Sequence, residues 1–241
     1  MNLISSAKRQ VILDTETTGM NQAAGAIYLG HRIIEIGCVE VINRKLTGRH
    51  YHEYINPQQI IDEEAIEVHG ITNEYVANKP KFAEISSSFL KFIEGAEVVA
   101  HNAPFDISFM DHEFSLLQPK GPKTADICSI LDTLDIAKHI HPGQKNNLDA
   151  LCKRYGIDNS RRTLHGALLD AEILADVYLM MTGGQTKFNL SGEGSDSAGG
   201  IKRLLSSRTK LKVIAASADE LAKHEERLDL VAKGGQCVWR G

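Results

Sequence analysis

Asp14-Thr15-Glu16 places two carboxylates two residues apart, and on an extended chain such a pair shares one face. Like charges that close repel each other, and no Lys or Arg follows before Arg32. A divalent cation would resolve the repulsion, since Mg²⁺ takes carboxylate oxygens and keeps several waters. The triplet alone is also compatible with a polar turn after a strand. Asp106 offers a third carboxylate, in the first turn of a helix opened by Pro104, where the helix dipole favours an acid whatever its role. Asp170 is more informative. It lies within the apolar sequence GALLDAEILADVYLMM, one turn from Gly166, Ala167, Ile173 and Leu174. No basic group shares its helix face, and a buried, unpaired carboxylate is normally neutralised or metal-bound. Glu172 and Asp176 fall on another face as ordinary solvated charges. His165 opens the same helix and could serve as a general base in the same pocket, a structural His being the plainer reading. Four acids and one imidazole together point to metal-assisted hydrolysis.

Other chemistries lack support. His50/His52 and His139/His141 form H-x-H pairs, but no third or fourth ligand stands at zinc spacing, so they read as surface or structural residues. There is no G-x-x-x-x-G-K-[ST] loop and no G-x-S-x-G elbow. Cys38, Cys128, Cys152 and Cys237 form no C-x-x-C pair and are expected as reduced, mostly buried thiols. The net charge of −4 argues against a protein that coats DNA by bulk electrostatics, though not against one that handles a DNA end with clustered carboxylates. No apolar stretch reaches membrane-spanning length, and MNLISSAKRQ lacks the order of a secretory signal, so a cytoplasmic protein is expected.

The elements that must carry these residues are partly readable. Val11, Ile12 and Leu13 suggest a buried strand ending at a turn, and the runs 32–42 and 49–55 suggest two more in an antiparallel meander. Helices are expected over 82–92, 104–117, 147–155 and 166–181, with a short strand at 97–100. Ile107, Met110, Phe114 and Leu117 make one apolar stripe. Strands first and helices later predict an α/β fold, a mixed sheet with helices packed on it. Composition then divides the chain into a domain over 1–182, a flexible linker over 183–200 in which half the residues are Gly or Ser, and a tail over 201–241. The tail holds a basic strip (Lys202, Arg203, Arg208, Lys210, Lys212) and a helix opened by the capping box Ser217-x-x-Glu220. One helix cannot bury a core alone. The tail is therefore expected to order on a partner, with Val238 and Trp239 as apolar bulk; a disordered end is the alternative.

Three motifs in order, DTETTG from Asp14, HNAPFD from His101 and HGALLD from His165, resemble those of the DEDDh 3′–5′ exonuclease family. The segments VILDTETTGMNQ and NNLDALCKRYGIDNSRRTLHGALLDAEILA and the ending CVWRG resemble the proofreading branch of that family, which serves bacterial replicative polymerases, over nearly the whole chain. The resemblance implies a ribonuclease H-like sheet, with a flexible linker and a short helical C-terminal tail. It implies that Asp14, Glu16, Asp106 and Asp170 bind two divalent ions, Mg²⁺ or Mn²⁺, and that His165 deprotonates the attacking water. It implies that Glu64 and His69, with Asp14, Glu16 and Asp170, contact the terminal nucleotide. Implied partners are a DNA 3′ end, the polymerase catalytic (alpha) subunit at the tail and a small accessory (theta) subunit at the exonuclease domain. Gln185, Phe188 and Leu190 loosely fit a sliding-clamp peptide, an incidental pair of linker hydrophobes being the alternative. A stand-alone nuclease acting on RNA or DNA ends is the rival function; a tethered docking helix argues against it. A non-catalytic scaffold would have eroded carboxylates, and all four are present.

Overall fold

A computed structural model describes residues 8–160, 162, 164–183, 216–234 and 239. In chain order its elements are β1 (Arg9–Thr17), β2 (Ile33–Ile42), β3 (Lys45–Tyr54), α1 (Glu63–His69), α2 (Asn73–Val76), α3 (Phe82–Ile93) and β4 (Glu97–Ala100). Then come α4 (Ala103–Ser115), α5 (Thr124–Ile127), β5 (Ser129–Asp132), α6 (Thr133–Ile140), α7 (Leu148–Tyr155), α8 (Ala167–Gly183) and α9 (Ala218–Lys233). The chain divides into two compact units, Met1–Lys187 and Phe188–Gly241.

The first unit is built on one five-stranded sheet in the order β3-β2-β1-β4-β5. The β1–β2 and β2–β3 pairs are antiparallel, the expected meander, while β4 and β5 add parallel strands beyond β1. β1 is therefore central and covered on both faces, which explains its continuous apolar run. Val11 and Leu13 pack with Phe89, Phe109, Met110 and Phe114 of α3 and α4. Ile12 points the other way, into Leu174, Ala175 and Tyr178 of α8. The expected stripe on α4 is the one that packs, with Ile107 and Leu117 flanking Met110 and Phe114.

Several expected boundaries move: β3 begins at Lys45 rather than at residue 49, and α4 ends at Ser115 rather than at residue 117. β1 does not turn at Asp14 but runs on to Thr17, with a register shift between Glu16 and Thr17. Pairing with β2 sustains the strand past the point where its apolar run ends. Asp14 and Glu16 thus belong to a rigid central strand, on the face that α8 covers.

α8 lies unusually close to the sheet at its start. A Cβ on Gly37 would lie 2.2 Å from the Ala167 carbonyl carbon and the Leu168 nitrogen. These are backbone atoms and cannot swing aside. Gly37→Ala therefore pushes the first turn of α8 off β2 and costs about 2–3 kcal/mol of stability. A urea midpoint equal to that of the wild type would contradict this close approach. At its far end, α8 is held by Arg44, which donates to the Leu179 carbonyl (2.7 Å) and the Thr182 hydroxyl (2.9 Å).

In the second unit, α9 is opened by the expected capping box. Ser217 accepts from the Glu220 N–H, and Glu220 in return accepts from the Ser217 N–H at 2.8 Å. Leu221, Leu230 and Val231 of α9 are exposed, as is Trp239. Gln185, Phe188, Leu190, the basic strip and Val238 lie outside the described residues. Cys38, Cys128 and Cys152 are buried free thiols. Among the described residues, no helix is long and apolar enough to cross a membrane.

Candidate active site

Two neighbouring strands and one helix start assemble the centre of the site. Glu16 on β1 stands opposite Glu35 on β2. Glu35 is buried; its Oε2 accepts the Ala167 N–H at 3.1 Å, and its Oε1 lies 2.7 Å from His52 Nε2. Glu35 thereby caps the first turn of α8 and pins it to the sheet. That turn carries Asp170, which is buried beside the strand. His165 precedes the helix, and its N–H donates to the Val68 carbonyl at the end of α1 (3.1 Å). One ligand atom from each of Glu16, His165 and Asp170 falls within 4.8 Å of the other two.

Asp106 arrives from the opposite side. Asn102 enters α4 with φ at 69°, a left-handed conformation that Asn tolerates better than most residues. Its N–H donates to Asp132 Oδ1 at 3.0 Å, and the same carboxylate caps α6 through the Leu134 N–H. This lock at the end of β5 sets the first turn of α4 against β1, where the Thr15 hydroxyl donates to Asp106 Oδ1 at 2.7 Å.

The electrostatics follow from burying several acids together. Burial, then Asp106, Glu16 and Asp170, push the Asp14 carboxyl well above the usual range. Glu16 is pushed up to about 8, by burial first and then by Glu35, Asp170 and Asp106. Asp106 reaches about 7 through burial, which the Thr15 hydrogen bond partly offsets. Asp170 differs: burial opposes its charge, but the neighbouring His165 and the hydrogen-bonded Arg162 hold it below the ordinary value.

Asp170 is therefore not unpaired, contrary to the expectation from its helix face. Arg162 Nε lies 2.5 Å from Asp170 Oδ1 and Nη2 lies 2.8 Å from Oδ2, a two-pronged ion pair. The same guanidinium reaches His165 Nδ1 at 2.9 Å and Asp149 Oδ1 at 2.8 Å. Helical periodicity surveys residues one turn away, whereas Arg162 comes from the loop before the helix, eight residues upstream. Arg162 and Glu35 are the site residues that sequence reasoning missed. The only hint of the first was a pair of arginines near His165.

Glu64 and His69 sit on α1, beside the cluster. A cleft of about 260 Å³ is lined by Glu16, Thr17, Met20, Glu64, His69 and Phe105, room for one small ligand. His69 Nδ1 accepts the Ile71 N–H at 3.0 Å, so the ring proton resides on Nε2, which has no hydrogen-bond partner. Burial lowers the His69 pKa and keeps the ring neutral. Of the H-x-H pairs, His52 touches the site through Glu35, while His139 binds the Asp135 carbonyl and His141 the Tyr155 hydroxyl.

The donor set suits a hard divalent cation. It is made of carboxylate oxygens, with an imidazole beside them and no thiolate, and three of its acids are held above their usual pKa by burial first and neighbouring acids second. A family model described as RNase_T, exonuclease, matches residues 11–178. The chain is 56% identical over 237 residues to DNA polymerase III subunit epsilon of Escherichia coli, covering 96% of this chain and 97% of that protein. It is 54% identical over 245 residues to the protein of the same name from Haemophilus influenzae, covering 96% and 94%. Exonuclease X in complex with 5′ overhanging duplex DNA superposes with a TM-score of 0.54 at 26% identity, over 73% of this chain and 92% of that one.

Proposed function

The chain belongs to the exonuclease family, and on that premise we propose that it is the 3′–5′ proofreading exonuclease, the epsilon subunit, of a bacterial replicative DNA polymerase. The observation that carries this reading is the convergence of Glu16, His165 and Asp170 within 4.8 Å, beside a cleft of about 260 Å³ that Glu16 also lines.

Asp14, Glu16, Asp106 and Asp170 would hold two divalent ions, Mg²⁺ or Mn²⁺. Such ions supply Lewis acidity at the phosphodiester and lower the pKa of water. His165 accepts the proton of the attacking water at a ring nitrogen. Asp170 Oδ2, 3.4 Å from His165 Nδ1, orients that ring. Water oxygen bonds to phosphorus, the bond from phosphorus to the 3′ oxygen breaks, and that oxygen leaves with a proton as the new primer end. The product is a nucleoside 5′-monophosphate. Glu64 and the Nε2–H of His69 hold the terminal nucleotide.

The fuller reading assigns residues 1–182 to the exonuclease domain, 183–200 to a flexible linker and 201–241 to the docking tail. The tail would bind the polymerase catalytic (alpha) subunit, and the domain the small theta subunit. Gln185, Phe188 and Leu190 would contact the sliding clamp, all in the cytoplasm. Two features support a subunit rather than a stand-alone nuclease. The relatives named as polymerase III subunits match 96% of this chain, and α9 leaves Leu221, Leu230 and Val231 exposed.

The test is a 5′-labelled primer with a mispaired 3′ end, digested with Mg²⁺ or Mn²⁺. Stepwise shortening with release of monophosphates, stopped by EDTA, is expected. Faster digestion of single-stranded RNA than of the DNA primer would overturn the assignment of substrate.

A further inference from the structure

We infer that Arg162 is a resident cation at Asp170, which holds Asp170 and His165 together in the metal-free protein and moves aside toward Asp149 when a divalent ion enters. On this inference, which rests on the metal-centre reading above, Arg162 sets the ion affinity of the site.

Both carboxylate oxygens of Asp170 are taken by one guanidinium, through Nε and Nη2. Yet Asp170 also belongs to the group with Glu16 and His165 whose ligand atoms lie within 4.8 Å. An ion bound in that group takes an oxygen that Arg162 now holds. It also brings two positive charges side by side at a largely buried position, where screening is weak. Both cannot occupy Asp170 at full strength.

Arg162 has somewhere to go. Its third nitrogen, Nη1, lies 2.8 Å from Asp149 Oδ1 at the start of α7. The Asp149 side chain is 56% exposed, whereas that of Arg162 is 8% exposed. Asp149 can therefore keep its end of the guanidinium while the other edge swings off Asp170. The same movement releases His165. Arg162 Nη2, 2.9 Å from Nδ1, can only donate, so it holds that nitrogen as an acceptor; once the guanidinium leaves, Nδ1 can carry a proton toward Asp170 Oδ2, 3.4 Å away. Arg162 is thus a positioning residue for both groups.

If Arg162 were only a pin that fastens the loop to α8, removing it would leave ion affinity unchanged or weaken it. Mn²⁺ titrated calorimetrically into the full chain, without nucleic acid, separates the two roles. Arg162→Gln is expected to bind Mn²⁺ about ten-fold more tightly than wild type, the loss of one charge-assisted competitor. Its melting temperature in EDTA should fall, and its gain on adding Mn²⁺ should exceed that of wild type. Arg162→Lys, which keeps the charge but not the fork, should fall between the two, and it carries the test if the Gln variant does not fold without metal. Affinity equal to or weaker than wild type in both variants overturns the proposal and leaves the nuclease reading standing. No Mn²⁺ binding by wild type sinks both.

Discussion

Asp14→Asn lowers hydrolysis by at least ~10³-fold, the scale on which single transition-state stabilisers act, and at the same time stabilises the metal-free protein. The two effects share one cause. Asp14 sits on the central strand, flanked by apolar residues on one side and acids on the other. Burial, Asp106, Glu16 and Asp170 all disfavour its charge, and Arg162 offsets them only in part. A bound cation makes that crowding useful; without one it is a loss of stability. The Asn amide keeps the shape, removes the charge and removes an ion ligand. The variant should therefore melt higher than wild type in EDTA at pH 8. Below pH 3, under the ordinary value of 3.8 and with the carboxyl protonated in both states, the gain should vanish. Asp14→Ala should lose hydrolysis equally with the fold retained; Asn isolates the charge. Activity within ten-fold of wild type, or a lower melting temperature at pH 8, would contradict the role given to Asp14.

The contrast between Asp14 and Asp170 shows what the sequence could reveal. The strand run Val11–Leu13, the helix opened by Pro104, the helix over 147–155 and the Ser217 capping box of α9 are local patterns, and the structure has each of them. β5 was missed because it is a short edge strand whose residues are exposed or half-buried, so no apolar run marks it. Glu35 and Glu40 were invisible for a different reason. An acid in a strand normally reads as an outward, solvated residue, yet both are buried. Glu40 is paired with Arg9 and Arg49, and Glu35 is spent on the start of α8. Arg162 escaped because its contact runs through a loop that follows no period. The four acids and His165 could be named from motif order. Which of them is already neutralised could not, because the neutralising group lies off the helix. The argument for a metal thereby shifts from Asp170, which has a cation, to Asp14, Glu16 and Asp106, whose raised pKa values show that Arg162 does not suffice.

In EDTA the melting temperature of wild type falls as pH rises from 6.5 to 8, and saturating Mg²⁺ or Mn²⁺ removes the fall. Glu16 titrates at about 8 in the folded chain against an ordinary value of 4.5, and Asp106 at about 7 against 3.8. Between these limits the folded state keeps protons that the unfolded state has lost, so stability declines as pH rises toward the folded values. That contribution is fully present below the unfolded carboxylate pKa and is lost on passing the folded one. Asp170 has the opposite sign, but its lowered pKa confines its effect to acid below this window. His69, His101, His112 and His141, lowered by burial, also oppose the trend, by an amount that fades above the ordinary His value of 6.5 as the unfolded imidazoles lose their protons. Above that value the carboxylates dominate the slope. Glu16 alone contributes about 2 kcal/mol over these 1.5 pH units, on the order of 4–8 °C for a chain of this size. A divalent ion replaces the protons, so its stabilising effect should be larger at pH 8 than at pH 6.5. Asp14, also raised, contributes in the same sense, so Glu16→Gln should lessen the fall in EDTA without abolishing it. A wild-type melting temperature that is constant or rising across this window in EDTA would mean that the acids are not held protonated by burial and neighbouring charge, and the electrostatic case for a cation at this site would fall with it.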